Sequence, residues 1–89
     1  MATIHRNLSE YIKEEIPNGA DFRIGIVVSE WNEQITLGLL EGTKTALTEN
    51  GVKEENIDIR FVPGAFELPL GSQYFCEQGK VDGVIAIGV

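Results

Sequence analysis

The sequence predicts an α/β fold built on a parallel sheet. Three observations lead there: three short apolar, β-rich segments, a helical pattern between each consecutive pair, and turn-forming residues at the junctions. The resulting order is strand, helix, strand, helix, strand. Helical crossovers between short apolar strands imply parallel pairing with right-handed connections.

Residues 1–21 read as an arm. Within it, Leu8, Ile12 and Ile16 share one side of a short predicted helix that Pro17, Asn18 and Gly19 interrupt. Residues 22–89 form the α/β portion. The run Phe22 to Ser29 (FRIGIVVS) lacks clean alternation, as a strand buried on both faces does. A helix follows, with Asn32 placed to cap its start and Asn50-Gly51 to end it. Ile35, Leu39, Thr43, Ala46 and Leu47 recur at helical spacing and are expected to pack on the sheet. Ile57 to Val62 (IDIRFV) is the second strand. The next helix spans Glu67 to Gln78, with Pro69 tolerated in its first turn and Gly79 closing it. Val81 to Ile87 (VDGVIAI) is the third strand.

Composition narrows the function classes. The chain has 89 residues, enough for one small domain, and a formal charge of −7. Its seven basic residues are scattered, so neither a nucleic-acid stripe nor a nucleic-acid partner is expected. No apolar run approaches the roughly 20 residues of a membrane span, and the acidic amino-terminus argues against a secretory signal. A single cysteine, Cys76, cannot form an internal disulfide, which points to a reducing, cytoplasmic location. Two helices cover three parallel strands thinly, so the chain is expected to be the amino-terminal half of a domain of about 150 residues, or a piece completed by another chain.

Ligands of parallel sheets sit beyond the carboxyl ends of the strands, where strand order reverses. Three segments should meet there: Ser29 to Asn32, Pro63 to Glu67, and Gly88-Val89. Trp31 is either packing or one wall of a pocket for a flat heterocycle. Asn32 is either a helix cap or a ligand contact. Gly64 lets the backbone approach a ligand, and the N–H groups of Ala65 and Phe66 lie at a helix start. Glu67 is either a first-turn carboxylate stabilised by the helix dipole, by about 0.3–1 kcal/mol, or an acceptor for ligand hydroxyls. His5, the only histidine, lies in the arm, so no metal site and no histidine relay is expected. Cys76 reads as packing, Ser29 has no activating partner in sequence, and Gly38 and Gly42 suggest close helix–sheet or subunit packing.

The strings IGIVVSEWNEQIT, DIRFVPGAFELPL and DGVIAIGV resemble the amino-terminal half of lumazine synthase, from about Phe22 to Val89. The resemblance implies a flavodoxin-like three-layer α/β/α sandwich with a parallel sheet, of which this chain holds three strands and two crossover helices. It implies synthesis of 6,7-dimethyl-8-ribityllumazine from 5-amino-6-ribitylaminouracil and 3,4-dihydroxy-2-butanone 4-phosphate, on the way to riboflavin, without cofactor or metal. It also implies pentamers or larger icosahedral shells with sites between subunits, and a complementary carboxyl-terminal segment.

By the same resemblance Trp31 matches the ring-stacking aromatic, more often phenylalanine in the family. Asn32 matches the asparagine beside the ring. Gly64, Ala65, Phe66 and Glu67 match the segment that holds the ribitylamino substrate, and Val89 opens the next contacting stretch. The arm matches a segment that often reaches a neighbouring subunit. The family's phosphate-binding Arg-Gly loop and proton-transfer histidine fall after the position of Val89, so no catalytic residue is assigned within these 89. Two other readings compete: a non-catalytic truncated or split assembly component, and a flavodoxin-like module that binds a flavin or nucleotide.

Overall fold

The computed structural model describes residue 10 and residues 12–89. Among them are three strands, β1 (Ile24–Ser29), β2 (Ile57–Val62) and β3 (Gly83–Ile87), and two long helices, α1 (Glu33–Glu49) and α2 (Leu68–Gln78). The sheet is entirely parallel, in the order β2-β1-β3. Ile24 pairs with Ile57 on one side and Gly83 on the other, and Val28 with Phe61 and Ile87. The first crossover therefore steps to one side of β1 and the second steps back across it. With both connections right-handed, α1 and α2 fall on opposite faces. This is the flavodoxin-like α/β/α arrangement.

Residue alternation along β1 assigns the two cores. Ile26 and Val28 point to the α1 face, where they cluster with Leu40 and Ile87 and with the partly buried Ile24, Leu47, Ile57, Ile59 and Ile85. Gly25 and Val27 point to the α2 face. A methyl group on Gly25 would come within 2.7 Å of the Phe75 ring, and one on Gly71 within 2.8 Å of Val27. Helix α2 thus lies tight on the sheet because small residues on both elements admit a large neighbour from the other. Ile26, Val27, Val28 and Ser29 are fully buried, in keeping with a strand covered on both sides.

Helix α1 faces the sheet with a different stripe from the one that spacing suggests. Thr36 and Leu40 are buried and Leu47 packs on the core, whereas Ile35 and Leu39 are about half exposed and Ala46 is exposed. Apolar residues occur on two sides of this helix, so periodicity alone favours neither. A methyl group on Gly38 or Gly42 would meet nothing within 4 Å, which removes close helix–sheet packing as their reason.

The carboxyl end of α1 is closed by a Schellman motif. Val52 N–H donates to Leu47 C=O (3.0 Å) and Gly51 N–H to Thr48 C=O (3.1 Å), with Gly51 at φ +97°. In the arm, a single 3₁₀ turn over Lys13–Glu15 stands where a longer helix was expected, Ile12 and Ile16 are exposed, and Leu8 lies outside the described residues. Strands β1 and β3 start two residues later than their apolar runs. The reason is a reciprocal clamp: Arg23 N–H donates to the Asp82 carboxylate (2.9 Å) and Asp82 N–H to Arg23 C=O (2.7 Å).

Candidate substrate rim at the carboxyl ends of the strands

The chain leaves β1 and β2 side by side. Beyond Ser29, Glu30 N–H donates to Val62 C=O (2.8 Å) and Trp31 N–H to Pro63 C=O (3.2 Å). These two bonds carry the pairing past the ladder and bring Trp31 alongside the start of the Pro63–Glu67 turn. The third segment closes in from β3: a methyl group on Gly88 would lie 3.4 Å from Ser29 Oγ, 3.5 Å from Ala65 Cβ and 2.5 Å from Leu68 Cδ1. The three strand ends therefore meet at one rim, with Ser29 beneath it.

Trp31 is 68% exposed and Phe66 is 87% exposed, so neither aromatic is used for packing within these residues. Asn32 occupies the position before α1, but it does not cap the helix with its side chain. It adopts the left-handed conformation (φ 57°, ψ 51°), which asparagine tolerates better than most residues. Its carbonyl accepts from Ile35 and Thr36 N–H (2.9 and 3.1 Å), while its amide makes no cap bond. The left-handed turn redirects the chain sharply between Trp31 and α1.

Glu67 has a definite local task. Its Oε1 accepts from Gly64 N–H at 2.9 Å, and Glu67 N–H donates back to Gly64 C=O at 3.1 Å. This reciprocal pair fixes the 3₁₀ turn Ala65–Glu67 that leads into α2, with Pro69 in the first turn of the helix. One carboxylate oxygen is thereby committed to the backbone. The second makes no hydrogen bond among the described residues. The N–H groups of Ala65 and Phe66 lie in the same turn, before the helical ladder begins. Val89 is 56% exposed at the end of the third segment.

The charge at the rim is one-sided. Glu30, Glu33 and Glu67 stand around it, and none of Ser29–Asn32, Pro63–Glu67 and Gly88-Val89 is basic. A depression of about 480 Å³ opens beside it, lined by Ser29, Glu30, Glu33, Thr36, Leu37 and Phe61. A larger one of about 510 Å³ lies elsewhere, between the outer edge of β2 and α2, beside the exposed Asp58–Arg60 ion pair (2.8 Å). That groove touches none of the rim's loop residues. Asp58 raises the pKa of Arg60 further above its ordinary value through hydrogen bonding and charge, so the guanidinium stays cationic.

Comparison with known proteins decides the family. The model of the 6,7-dimethyl-8-ribityllumazine synthase family matches residues 21–89. The chain belongs to this family. It is 52% identical to the lumazine synthase of Phocaeicola vulgatus over 88 residues, covering 99% of this chain and 52% of that protein. It is 52% identical to that of Porphyromonas gingivalis over 88 residues, covering 99% of this chain and 55% of the relative. Over 89 residues it is 52% identical to the Christiangramia forsetii enzyme, covering 99% of this chain and 53% of that protein. The chain spans about half the length of the curated relatives it matches. Among the described residues no helix is long and apolar enough to cross a membrane.

Of the residues singled out in the sequence, Trp31, Asn32, Gly64, Ala65, Phe66, Glu67 and Val89 all lie in the three converging segments. Ser29, placed in the first segment but given no role because the sequence offers it no activating partner, proves fully buried, with a hydroxyl that has no hydrogen-bond partner among the described residues. The signal that could have found it is its position: a polar residue ending an otherwise apolar central strand.

Proposed function

We propose that this chain supplies the pyrimidine and ribityl side of a lumazine synthase site. The reaction joins 5-amino-6-ribitylaminouracil to 3,4-dihydroxy-2-butanone 4-phosphate and yields 6,7-dimethyl-8-ribityllumazine, in riboflavin biosynthesis. The observation that carries this reading is the bond from Trp31 N–H to Pro63 C=O, which joins the aromatic and the Gly64–Glu67 turn at one rim. On this reading Trp31 stacks on the pyrimidine ring and Asn32 lies beside it. Gly64 and the N–H groups of Ala65 and Phe66 hold its polar edge, Glu67 accepts from ribityl hydroxyls through its uncommitted oxygen, and Val89 borders the ring. An exposed aromatic and exposed donors at a strand end suit a flat, hydroxyl-rich ligand.

The same rim is a poor place for phosphate to leave. Elimination builds negative charge on the departing group, and three carboxylates without a cation would oppose it. The proposal therefore draws the phosphate-binding cations and the proton-transfer group from outside these 89 residues, from a complementary carboxyl-terminal segment or a neighbouring copy. Holding two substrates together contributes much of such a rate enhancement, and half a pocket does so badly. Assembly with further copies of the same chain belongs to this reading. Ile35 and Leu39 on the outer side of α1 are exposed without a partner element among the described residues, and Gly38 and Gly42 leave room there for close approach.

A lumazine-formation assay tests the proposal. The purified chain is expected to show little turnover, rising when the complementary segment is supplied. In that completed form Trp31→Ala should lower turnover by about tenfold or more, on the scale of a base–aromatic stack of ~1–3 kcal/mol. Equal turnover by the Trp31→Ala form would remove the tryptophan from the site.

A further inference from the structure

Ser29 is a buried polar residue at the rim whose chemistry the proposed function does not use. It ends the central strand, is fully buried, and its Oγ has no hydrogen-bond partner among the described residues. A buried hydroxyl without a partner is unfavourable, and proteins rarely retain one without a compensating state. Its surroundings identify the group within reach. Val28 pairs with Ile87, so the next residue along β3, Gly88, comes beside Ser29. A methyl group on Gly88 would sit 3.4 Å from Oγ, and Gly88 has none. What borders the hydroxyl on that side is the bare backbone of Gly88.

The two sides of the rim are held differently. Toward β2, Glu30 and Trp31 are tied to the Val62 and Pro63 carbonyls. Toward β3, no backbone bond among the described residues joins Glu30–Asn32 to Gly88 or Val89. The β3 side is the looser one, and the unpaired hydroxyl lies at that seam.

We propose that Ser29 is a positioning residue for the rim: when a ligand seats between Trp31 and Val89, the hydroxyl pairs with the Gly88–Val89 peptide group and fixes the third segment against the other two. The hydroxyl has no partner among the described residues, and pairing in the bound state relieves it, so part of the binding free energy comes from a residue that never touches the ligand. This inference rests on the rim being the ligand site.

The test uses 6,7-dimethyl-8-ribityllumazine as the probe on the chain completed by its carboxyl-terminal segment, with Trp31 fluorescence and the Val89 backbone amide signal as readouts. In the Ser29→Ala chain the urea midpoint of the free protein should stay level or rise, because an unsatisfied polar group has been removed. Affinity for the probe should fall about three- to tenfold, the worth of one net hydrogen bond, and the probe-induced shift of the Val89 signal should shrink. Affinity within twofold of the unsubstituted chain would overturn the proposal, as would a lowered midpoint, which would show the hydroxyl already paired in the free protein. Absence of any response in the unsubstituted chain would remove the site reading itself, and this inference with it.

Discussion

Replacing Phe75 with alanine is expected to lower the stability of the chain by about 3–5 kcal/mol, the usual cost of deleting a buried aromatic ring. Phe75 is 6% exposed and rests on the bare backbone of Gly25 on β1, where even a methyl group would clash with its ring. It is also the last large residue before α2 ends at Gly79. Little else joins the carboxyl-terminal half of α2 to the sheet, because Tyr74 is more than half exposed and Cys76, Glu77 and Gln78 are exposed. Domains of this kind have a total stability of about 5–15 kcal/mol, so the loss is a large share of the total and should show as a clear fall in the unfolding midpoint. Urea unfolding followed by far-ultraviolet circular dichroism measures it. Phe75→Leu, which keeps an apolar filling, should lose distinctly less. A loss below about 1 kcal/mol for Phe75→Ala would mean that α2 is held by contacts other than this one.

The second large effect separates the two tasks given to Glu67. Glu67→Gln retains a side-chain carbonyl for the Gly64 N–H, so the turn into α2 should survive, with stability lowered by about 1 kcal/mol through the weaker bond and the lost charge at the helix start. Its affinity for 6,7-dimethyl-8-ribityllumazine should nonetheless fall about tenfold. Hydrogen bonds from ligand hydroxyls to a carboxylate exceed those to a neutral amide by about 1–1.5 kcal/mol. Glu67→Ala removes the turn's acceptor as well and should cost a further ~0.5–2 kcal/mol of stability. Binding by titration calorimetry and stability by urea unfolding are read on the same preparations. A glutamine variant with full affinity beside a destabilised alanine variant would leave Glu67 as a helix-start residue only.

Much of this fold could be read from the sequence because local and long-range preferences agree. Strand β2 was expected at Ile57 to Val62 and is found there, bounded by a 3₁₀ turn before it and Pro63 after it. The end of α1 at Asn50-Gly51 follows from one residue that must take a positive φ. Elsewhere the signals were ambiguous for physical reasons. Helix α1 carries apolar residues on two sides, and only the sheet decides that Thr36 and Leu40 go inside while Ile35 and Leu39 stay out.

Asn32 suits a cap and a left-handed turn equally well, and the chain direction required by the Trp31–Pro63 bond selects the turn. Glu67 posed a choice between cap and ligand acceptor, and the geometry does not force one: a single oxygen satisfies Gly64, which leaves the other for a ligand. Ser29 was legible as a polar residue ending an apolar strand, but what its hydroxyl fails to contact is not recorded in the sequence.

The functional expectations depend on Trp31 and the Gly64–Glu67 turn serving one ligand. The most direct check is a ¹H–¹⁵N spectrum of the labelled chain, completed by the complementary carboxyl-terminal segment and titrated with 6,7-dimethyl-8-ribityllumazine. The Trp31 indole signal and the amides of Ala65, Phe66, Glu67 and Val89 should shift together along one binding curve, with Asp58, Arg60 and Tyr74 unmoved. Shifts gathered instead at the groove beside Asp58 and Tyr74, or a Trp31 signal that moves while Ala65 to Glu67 stay still, would contradict the shared rim.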